Sequence, residues 1–252
     1  LPISLGDGGA RHAPEGRTQL ARRDRRRAPV VVRIERHDEV DSTQRVARRR
    51  AEEGAPHGTV VLAERQTAGR GRLDRRWESA AGENLTFTLV LRPRCAPREA
   101  PLLTLGAAAG LALAFDLRVK WPNDVVTGEG RKVAGLLAEM DLAGDRVTAV
   151  LLGVGFNVNQ RDFPGLPNAS SLALRDGPQD REEVLERAVS AILAWSEHPD
   201  RLDLWRRRAH TLGRQVRVGD VAGVATGLRD DGALLIDGAP VLLGELEPDQ
   251  SR

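Results

Sequence analysis

Residues 118–140 read RVKWPNDVVTGEGRKVAGLLAEM and hold both lysines of the chain, Lys120 and Lys132; the other 36 basic residues are arginines. An ammonium is a compact point charge that burial can tune, whereas guanidinium is a planar fork. Val119 and Trp121 read as the end of a strand that Pro122 stops. Asn123 and Asp124 then stand at a strand end, where binding and catalytic groups concentrate. Gly128-Glu129-Gly130 makes a turn, Lys132 opens a second strand, and Gly135 admits close approach of a backbone or ligand. Two strands joined by that turn bring both lysines to one side of a cleft. The competing reading of each lysine alone is solvated surface.

Working outward, residues 30–36 and 59–64 read as strands, with a helix between them that Asp41-Ser42-Thr43 caps and Gly54 ends. Residues 84–91 alternate, Leu85, Phe87, Leu89 and Leu91 on one face and Thr86, Thr88 and Val90 on the other, as a strand does. Residues 98–115 form a buried, alanine-rich helix. Strands follow at 117–121, 133–140 and 147–153. Residues 180–195 make a helix opened by an Asp180/Glu183 capping box, and 201–210 make another. From Thr211 the texture changes to short β-like runs at 215–218, 221–227, 233–236 and 241–243, with a turn at Asp230-Asp231-Gly232. The expected organisation is a basic tail over 1–28, an α/β domain over 29–212 and a small β-barrel over 213–252.

A chain of 252 residues that is 40% hydrophobic can bury a sizeable core. The net charge of +2 hides an asymmetry, because the first 28 residues carry seven arginines against three acids. That tail lacks apolar periodicity and reads as disordered, with a nucleic-acid arm as the alternative. The barrel segment carries four arginines against seven acids, which disfavours phosphate binding there. The single Cys95 excludes an intramolecular disulfide and cannot by itself make a zinc site. No apolar run reaches the ~18 residues of a membrane span, and no signal-peptide core follows the first arginines, so a cytoplasmic protein is expected.

Gly69-Arg70-Gly71-Arg72 places backbone amides and two guanidiniums on a loop after a strand, a setting suited to oxyanions. It lacks the features of a Walker loop or a dinucleotide fingerprint, and alone it is equally a solvated turn. Its clustered arginines repel one another, so the loop over 67–76 is expected to order only around a bound anion. Asn is scarce, and two of the five, Asn157 and Asn159, follow Gly153-Val154-Gly155-Phe156 directly. Their amides suit the edge of a nucleobase or amide ligand, or an Asx turn.

Ser42-Thr43, the run from Gln66 to Arg72 with Trp77, Lys120-Trp121-Pro122-Asn123-Asp124, Lys132-Val133-Ala134-Gly135 and the run from Gly153 to Asn159 together resemble the biotin–protein ligases, in order and spacing over about 34–247. The resemblance implies a mixed, largely antiparallel sheet with helices and a small C-terminal barrel. It implies activation of biotin by ATP as biotinoyl-AMP, then transfer to a lysine of a biotin carboxyl carrier protein. It implies that Ser42, Thr43, Gln44, Gln66 and Gly135 serve biotin. Arg70, Gly71 and Arg72 would close over the anhydride, and Lys132 would stabilise its charge. Trp77, Lys120, Asn123 and Asn157 would serve the nucleotide, and Asp124 a magnesium ion. Gln44 departs from the family's usual Asn and Asp74 from its usual Gly. The family's DNA-binding N-terminal domain is not expected, hence neither a DNA nor a membrane partner, while a homodimer stays open. Three readings compete. A lipoate or octanoyl ligase would need a longer glycine-rich loop. A nucleic-acid module would use the tail and barrel. A bare biotin binder would need neither cationic loop nor Lys132.

Overall fold

The computed structural model describes residues 32–73 and 75–246, so the expected tail and Asp74 lie outside the described residues. Seven strands make one mixed sheet. In chain order they are β1 (Arg33–Val40), β2 (Thr59–Gln66), β3 (Leu85–Leu91), β4 (Arg118–Lys120), β5 (Asp124–Val126), β6 (Lys132–Ala143) and β7 (Arg146–Phe156). In space they run β1-β2-β3-β7-β6-β5-β4, with β1 and β2 parallel and every other pair antiparallel. The mixed, largely antiparallel sheet of the sequence reading is what the chain forms.

Helices cover both faces. On one, α1 (Thr43–Glu52) packs Val46, Ala47 and Ala51 against Val61, Val90, Ala149 and Leu151 of the sheet. On the other lie α2 (Ala100–Ala114), α4 (Arg181–Trp195) and α5 (Arg201–Arg208), over a core that includes Phe87, Leu89, Leu152 and Trp205. The short α3 (Leu172–Asp176) follows the loop after β7. Both faces of β3 are therefore buried, and its alternation separates two cores rather than core from solvent. Asp180 caps α4 through its carboxylate, which accepts from the Glu182 and Glu183 amides. Ser42 sits at the α1 N-cap position but makes no side-chain cap, which leaves its hydroxyl for other work.

The C-terminal segment is a four-stranded antiparallel sheet, β11-β10-β9-β8, from β8 (Gln215–Val218), β9 (Val221–Leu228), β10 (Leu234–Ile236) and β11 (Ala239–Val241). In place of the expected barrel, the described residues form a small antiparallel sheet whose edge strands β11 and β8 do not pair. Its last strand starts two residues early because Asp237-Gly238, both at positive φ (47° and 84°), closes a two-residue hairpin pairing Ile236 with Ala239. Strand β5 and helix α3 escape the sequence reading because three and five residues are too short for a period to register. Val218, Ala225, Leu228, Leu234 and Ile236 join the same core as α2 and α5. The free edge of β4 is gripped from this side. Ala209 bridges Val119, the His210 amide donates to the Val119 carbonyl (2.7 Å), and the Trp121 amide donates to Thr211 Oγ1 (2.9 Å). The Trp121 indole N–H donates to the Gly232 carbonyl (3.2 Å). Among the described residues no helix is long and apolar enough to cross a membrane.

Two predictions follow from this packing. A Cβ at Gly110 of α2 would stand 2.6 Å from the Ala191 carbonyl oxygen of α4 and 2.8 Å from Trp195 Cβ. Gly110→Ala should gain about 1 kcal/mol of helix propensity, yet overpacking of this backbone-to-backbone contact costs about 1–3 kcal/mol. A lower midpoint in urea is the expected net result, and a raised one would show that α2 and α4 do not touch so closely. The second concerns pH. Burial, then Arg214, Lys120 and Arg118, push the His210 imidazole below its ordinary range, with Glu129 opposing. A depressed histidine favours the unfolded chain once that chain protonates, so stability should fall as pH drops below about 6.5. His210→Gln should flatten the stability curve between about pH 7 and 5; parallel curves for the two proteins would remove His210 from the account.

Candidate active site

A cleft of about 760 Å³ opens beside the N-terminus of α1, and its floor is the part of the sheet that α1 leaves bare. Ala149, Leu151, Gly153 and Gly155 alternate onto one face of β7. Leu151 lies under α1, Gly153 under the Gln44 side chain and Gly155 under the Trp77 indole. Gly135 of β6 faces Gly155 across the ladder. A Cβ at Gly155 would collide with the Trp77 ring, and one at Gly135 would stand 3.4 Å from it. The glycines thus make a seat for an indole at the middle of the cleft. Its Nε1 is buried and has no hydrogen-bond partner.

At one end of the cleft are Ser42, Thr43, Gln44 and Gln66. Gln66 Oε1 accepts from the Thr43 amide (2.7 Å) and from Thr43 Oγ1 (3.0 Å), so the Gln66 NH₂ remains as a donor. Gln44 is oriented the opposite way. Its Nε2 donates to the carbonyls of Leu137 (3.0 Å) and Leu151 (3.4 Å), leaving Oε1 as an acceptor. Gln44 thereby contacts both β6 and β7.

At the other end are Lys120, Asn123, Asp124 and Lys132. Lys132 Nζ lies 2.6 Å from Asp124 Oδ1 and 5.6 Å from the centroid of the Trp77 ring. The Asp124–Lys132 contact is an ion pair whose angles do not make a directed hydrogen bond, so this buried carboxylate oxygen lacks a hydrogen-bond partner. The Lys132 backbone is pinned by the Asn168 carbonyl (2.6 Å) and the Ser170 amide (2.8 Å). Asn123 donates to the Leu136 carbonyl (2.7 Å), and its Oδ1 accepts from Arg72 (3.3 Å). Buried Asn157 donates to the Ser170 carbonyl (3.0 Å).

The loop between these ends is a small hairpin. Arg70 bridges Arg76, the Gly71 amide donates to the Arg75 carbonyl (2.7 Å), and the Trp77 amide donates to the Gly69 carbonyl (3.1 Å). Its arginines do not face one another unpaired. Arg70 meets Glu139 (2.8 Å), Arg75 meets Glu245 (2.7 Å), Arg76 meets Glu78 (3.6 Å), and Arg72 donates to the Gly244 carbonyl (3.0 Å). The repulsion expected among these arginines is answered within the chain.

The residues to which the sequence reading gave a role in the site all line this one cleft: Ser42, Thr43, Gln44, Gln66, Arg70, Gly71, Arg72, Trp77, Lys120, Asn123, Asp124, Lys132, Gly135 and Asn157. Asn159 does not; it exchanges hydrogen bonds with the Gln179 backbone (2.9 and 2.8 Å). The sequence reading quoted Gly153 and Gly155 within a motif but gave them no role in the site, and it missed the wall over 163–169 and Glu245 with Leu246. The two floor glycines carried a signal, a spacing of two within a strand. The other two carry none, because only the tertiary fold brings them to the cleft.

The model of the biotin/lipoate A/B protein ligase family matches residues 38–157. The bifunctional ligase/repressor BirA of Bacillus subtilis is 37% identical over 223 residues, 80% of this chain and 68% of that protein. The biotin–[acetyl-CoA-carboxylase] ligase of Mycobacterium tuberculosis is 35% identical over 211 residues, 75% of this chain and 77% of its own. Among solved structures, the biotin protein ligase of Aquifex aeolicus in complex with biotin and ATP superposes with a TM-score of 0.70 at 31% identity, covering 85% of this chain and 97% of that one. With the fold, the glycine-floored cleft and these likenesses in agreement, the chain belongs to the biotin/lipoate A/B protein ligase family, among the biotin protein ligases.

Proposed function

We propose that this chain joins biotin to a lysine of a biotin carboxyl carrier protein or domain in two ATP-dependent steps. The observation that carries the reading is the fixed polarity of the amides at the closed end of the cleft. A ureido ring offers one carbonyl acceptor and two N–H donors. The Gln66 NH₂ and the Ser42 hydroxyl can donate to the carbonyl, and Gln44 Oε1 can accept from an N–H. The dithiolane of lipoate, or an octanoyl chain, would leave the Gln66 NH₂ and Gln44 Oε1 without partners, a costly mismatch that argues against the lipoate reading.

In the first step a biotin carboxylate oxygen attacks the α-phosphorus of ATP, and the bond to the β-phosphate oxygen breaks to release pyrophosphate. Two anions must approach each other. The cleft supplies six cations, Arg70, Arg72, Arg75, Arg76, Lys120 and Lys132, against Glu78, Asp124 and Glu245. Lys132 is the group we place between carboxylate and α-phosphate. Asp124 orients it, and the Trp77 indole, its Nε1 buried against the glycine floor, offers the nucleotide an apolar surface. In the second step a neutral lysine amine of the carrier attacks the acyl carbon, the anhydride C–O bond breaks, AMP leaves, and the amine proton passes to solvent. The segment over 213–252 serves the site as a small domain whose core joins that of the main sheet and whose Glu245 and Leu246 reach the cleft.

Magnesium fits as a companion of the nucleotide rather than as a resident ion. Among the described residues no group of three or more His, Cys, Asp or Glu could hold a metal, and Asp124 brings to the cleft a carboxylate with a buried oxygen that has no directed hydrogen bond. Such an ion binds one or two carboxylates plus substrate phosphates and would offset phosphate charge.

The direct test is incubation with biotin, magnesium-ATP and a carrier domain, followed by intact mass of the carrier. Gain of one biotinoyl group is expected, and an unmodified carrier that accepts lipoate instead would reverse the assignment. A sharper one concerns Lys132. Its ammonium sits between Asp124, the Trp77 ring and Gly135, where a Cβ would stand 3.0 Å from Nζ, and a wider, planar guanidinium would not keep a point charge at that place. Lys132→Arg and Lys132→Ala should each slow pyrophosphate release by ~10²–10³, and should slow transfer from preformed biotinoyl-AMP less. Near wild-type pyrophosphate release by Lys132→Arg would show that any cation suffices there.

A further inference from the structure

Strand β3 pairs with β7 as far as Leu85 and Phe156, and there the ladder ends. The chain beyond Phe156 carries Asn157 and Gln160, which line the cleft, and then the wall over 163–169. A strand that leaves its sheet takes along amides that the ladder no longer serves. Here the two residues before β3 serve them. Asn84 is 4% exposed, and its Oδ1 accepts from the amides of Val158 (2.9 Å) and Gln160 (3.4 Å). The Glu83 carbonyl accepts from the amide of Asn159 (2.9 Å). Asn84 Nδ2 donates to Gln160 Oε1 (2.5 Å), and Gln160 Nε2 donates to the Asp162 carbonyl (2.7 Å). Both carboxamides thus use oxygen and nitrogen within the chain. Asn84 is itself held: its carbonyl accepts from Arg181 Nε (3.2 Å), while Arg181 grips both oxygens of Glu64 (2.9 and 2.8 Å), which also accepts from the Gly82 amide (3.2 Å). Asn84 does not line the cleft, so it meets no ligand there.

We propose that Asn84 and Gln160 are positioning residues that fix the turn over 157–160, the root from which the cleft wall rises, and through it the place of Asn157 at the nucleotide end. The Asn84 oxygen stands where a further strand carbonyl would stand, so its side chain extends the β3–β7 ladder past its last backbone pair. Its nitrogen sets which way the Gln160 carboxamide points, because Gln160 must then present an acceptor to Asn84 and a donor to Asp162. Asn157 is tied from the β6 side as well. Its amide donates to the Val133 carbonyl (2.8 Å), its carbonyl accepts from the Leu172 amide (3.2 Å), and its side chain donates to the Ser170 carbonyl (3.0 Å). On the outside of the turn, Asn159 exchanges hydrogen bonds with Gln179. Asn84 supplies the tie on the β3 side. The tie ends at Asp162, so the wall beyond it remains able to respond to a ligand. The proposal rests on the biotin-ligase reading for the nucleotide, but not for the fixing of the turn.

Hydrogen–deuterium exchange of the full chain, without ligands, tests the turn directly. The amides of Val158, Asn159 and Gln160 would be followed in the wild type, Asn84→Leu, Gln160→Met and Gln160→Glu. Asn84→Leu and Gln160→Met should exchange there about two- to tenfold faster, the factor set by one neutral hydrogen bond. The amides of α2 and α4 report global opening, and the expected result leaves them at the wild-type rate. Gln160→Glu keeps an acceptor for Asn84 and should fall between Gln160→Met and the wild type. If Asn84→Leu does not fold, Gln160→Met decides, since its side chain is only half-buried. Wild-type exchange at 158–160 in Gln160→Met would overturn the proposal. So would equal acceleration in α2 and α4, because these residues would then support the whole fold rather than the turn. A kinetic arm follows pyrophosphate release from biotin and ATP. The KM for ATP should rise about two- to tenfold in Gln160→Met and in Asn84→Leu, with kcat and the KM for biotin within about twofold of the wild type. Faster exchange with an unchanged KM for ATP would overturn the link to the nucleotide end. A wild type that releases no pyrophosphate would tell against the biotin-ligase reading, while the exchange rates still decide whether Asn84 and Gln160 fix the turn.

Discussion

Gly155 and Gly135 face each other across β6 and β7, and the indole of Trp77 occupies the space their missing side chains leave. Much of the cleft depends on this contact. The indole anchors the returning end of the arginine hairpin to the sheet, since the Trp77 amide closes on the Gly69 carbonyl. It also sets one wall for the Lys132 ammonium, whose opposite side is held by Asp124. A side chain larger than hydrogen at Gly155 would lift the indole, and with it the loop base and the lysine's surroundings. The ladder tolerates the glycines because β3, β7 and β6 are flanked by other strands and covered on the far face by α2 and α4, which offsets the poor strand propensity of glycine.

Charge in the cleft is divided into two kinds. The arginines of the loop are neutralised by acids of the same chain, through partly exposed pairs that are individually weak. Lys132 is different: short, pinned through its own backbone, and set against a single buried carboxylate oxygen. The first arrangement can yield to an incoming anion one pair at a time. The second keeps one cation at a defined point. That division fits a chain that uses arginine at nearly every basic position and lysine at two.

The small C-terminal sheet shares the core of the main sheet, reaches the cleft after its last strand, and holds cleft-lining Trp121 from earlier in its chain. Thr211, before β8, holds the Trp121 amide, and Gly232, before β10, accepts from the Trp121 indole. Gly244 and Glu245, after β11, hold Arg72 and Arg75. Gly244 approaches Val218 so closely that a Cβ would not fit, which fixes where the strap passes. The segment is thus built into the geometry of both the lysine-bearing hairpin and the arginine loop.

By itself the sequence determined most of the strands and helices, and the residues that meet in the cleft. The apolar alternation of β3, the capping carboxylate of Asp180 and the alanine-rich α2 are local signals, and local propensity and burial agree there. Lys120, Asn123, Asp124 and Lys132 were legible because they lie within thirteen residues of one hairpin region, and Ser42 to Gln44 because they open a helix. The tertiary structure alone decided three things. It chose which end of each carboxamide faces the cleft, since that depends on the carbonyls of Leu137 and Leu151 and on Thr43, far away in the chain. It brought Glu139 and Glu245 to the arginines, a pairing between residues 69 and 170 positions apart, which no local pattern encodes. And it turned Gly153 and Gly155 into a floor, because a glycine acquires meaning only from what comes to lie where its side chain would have been.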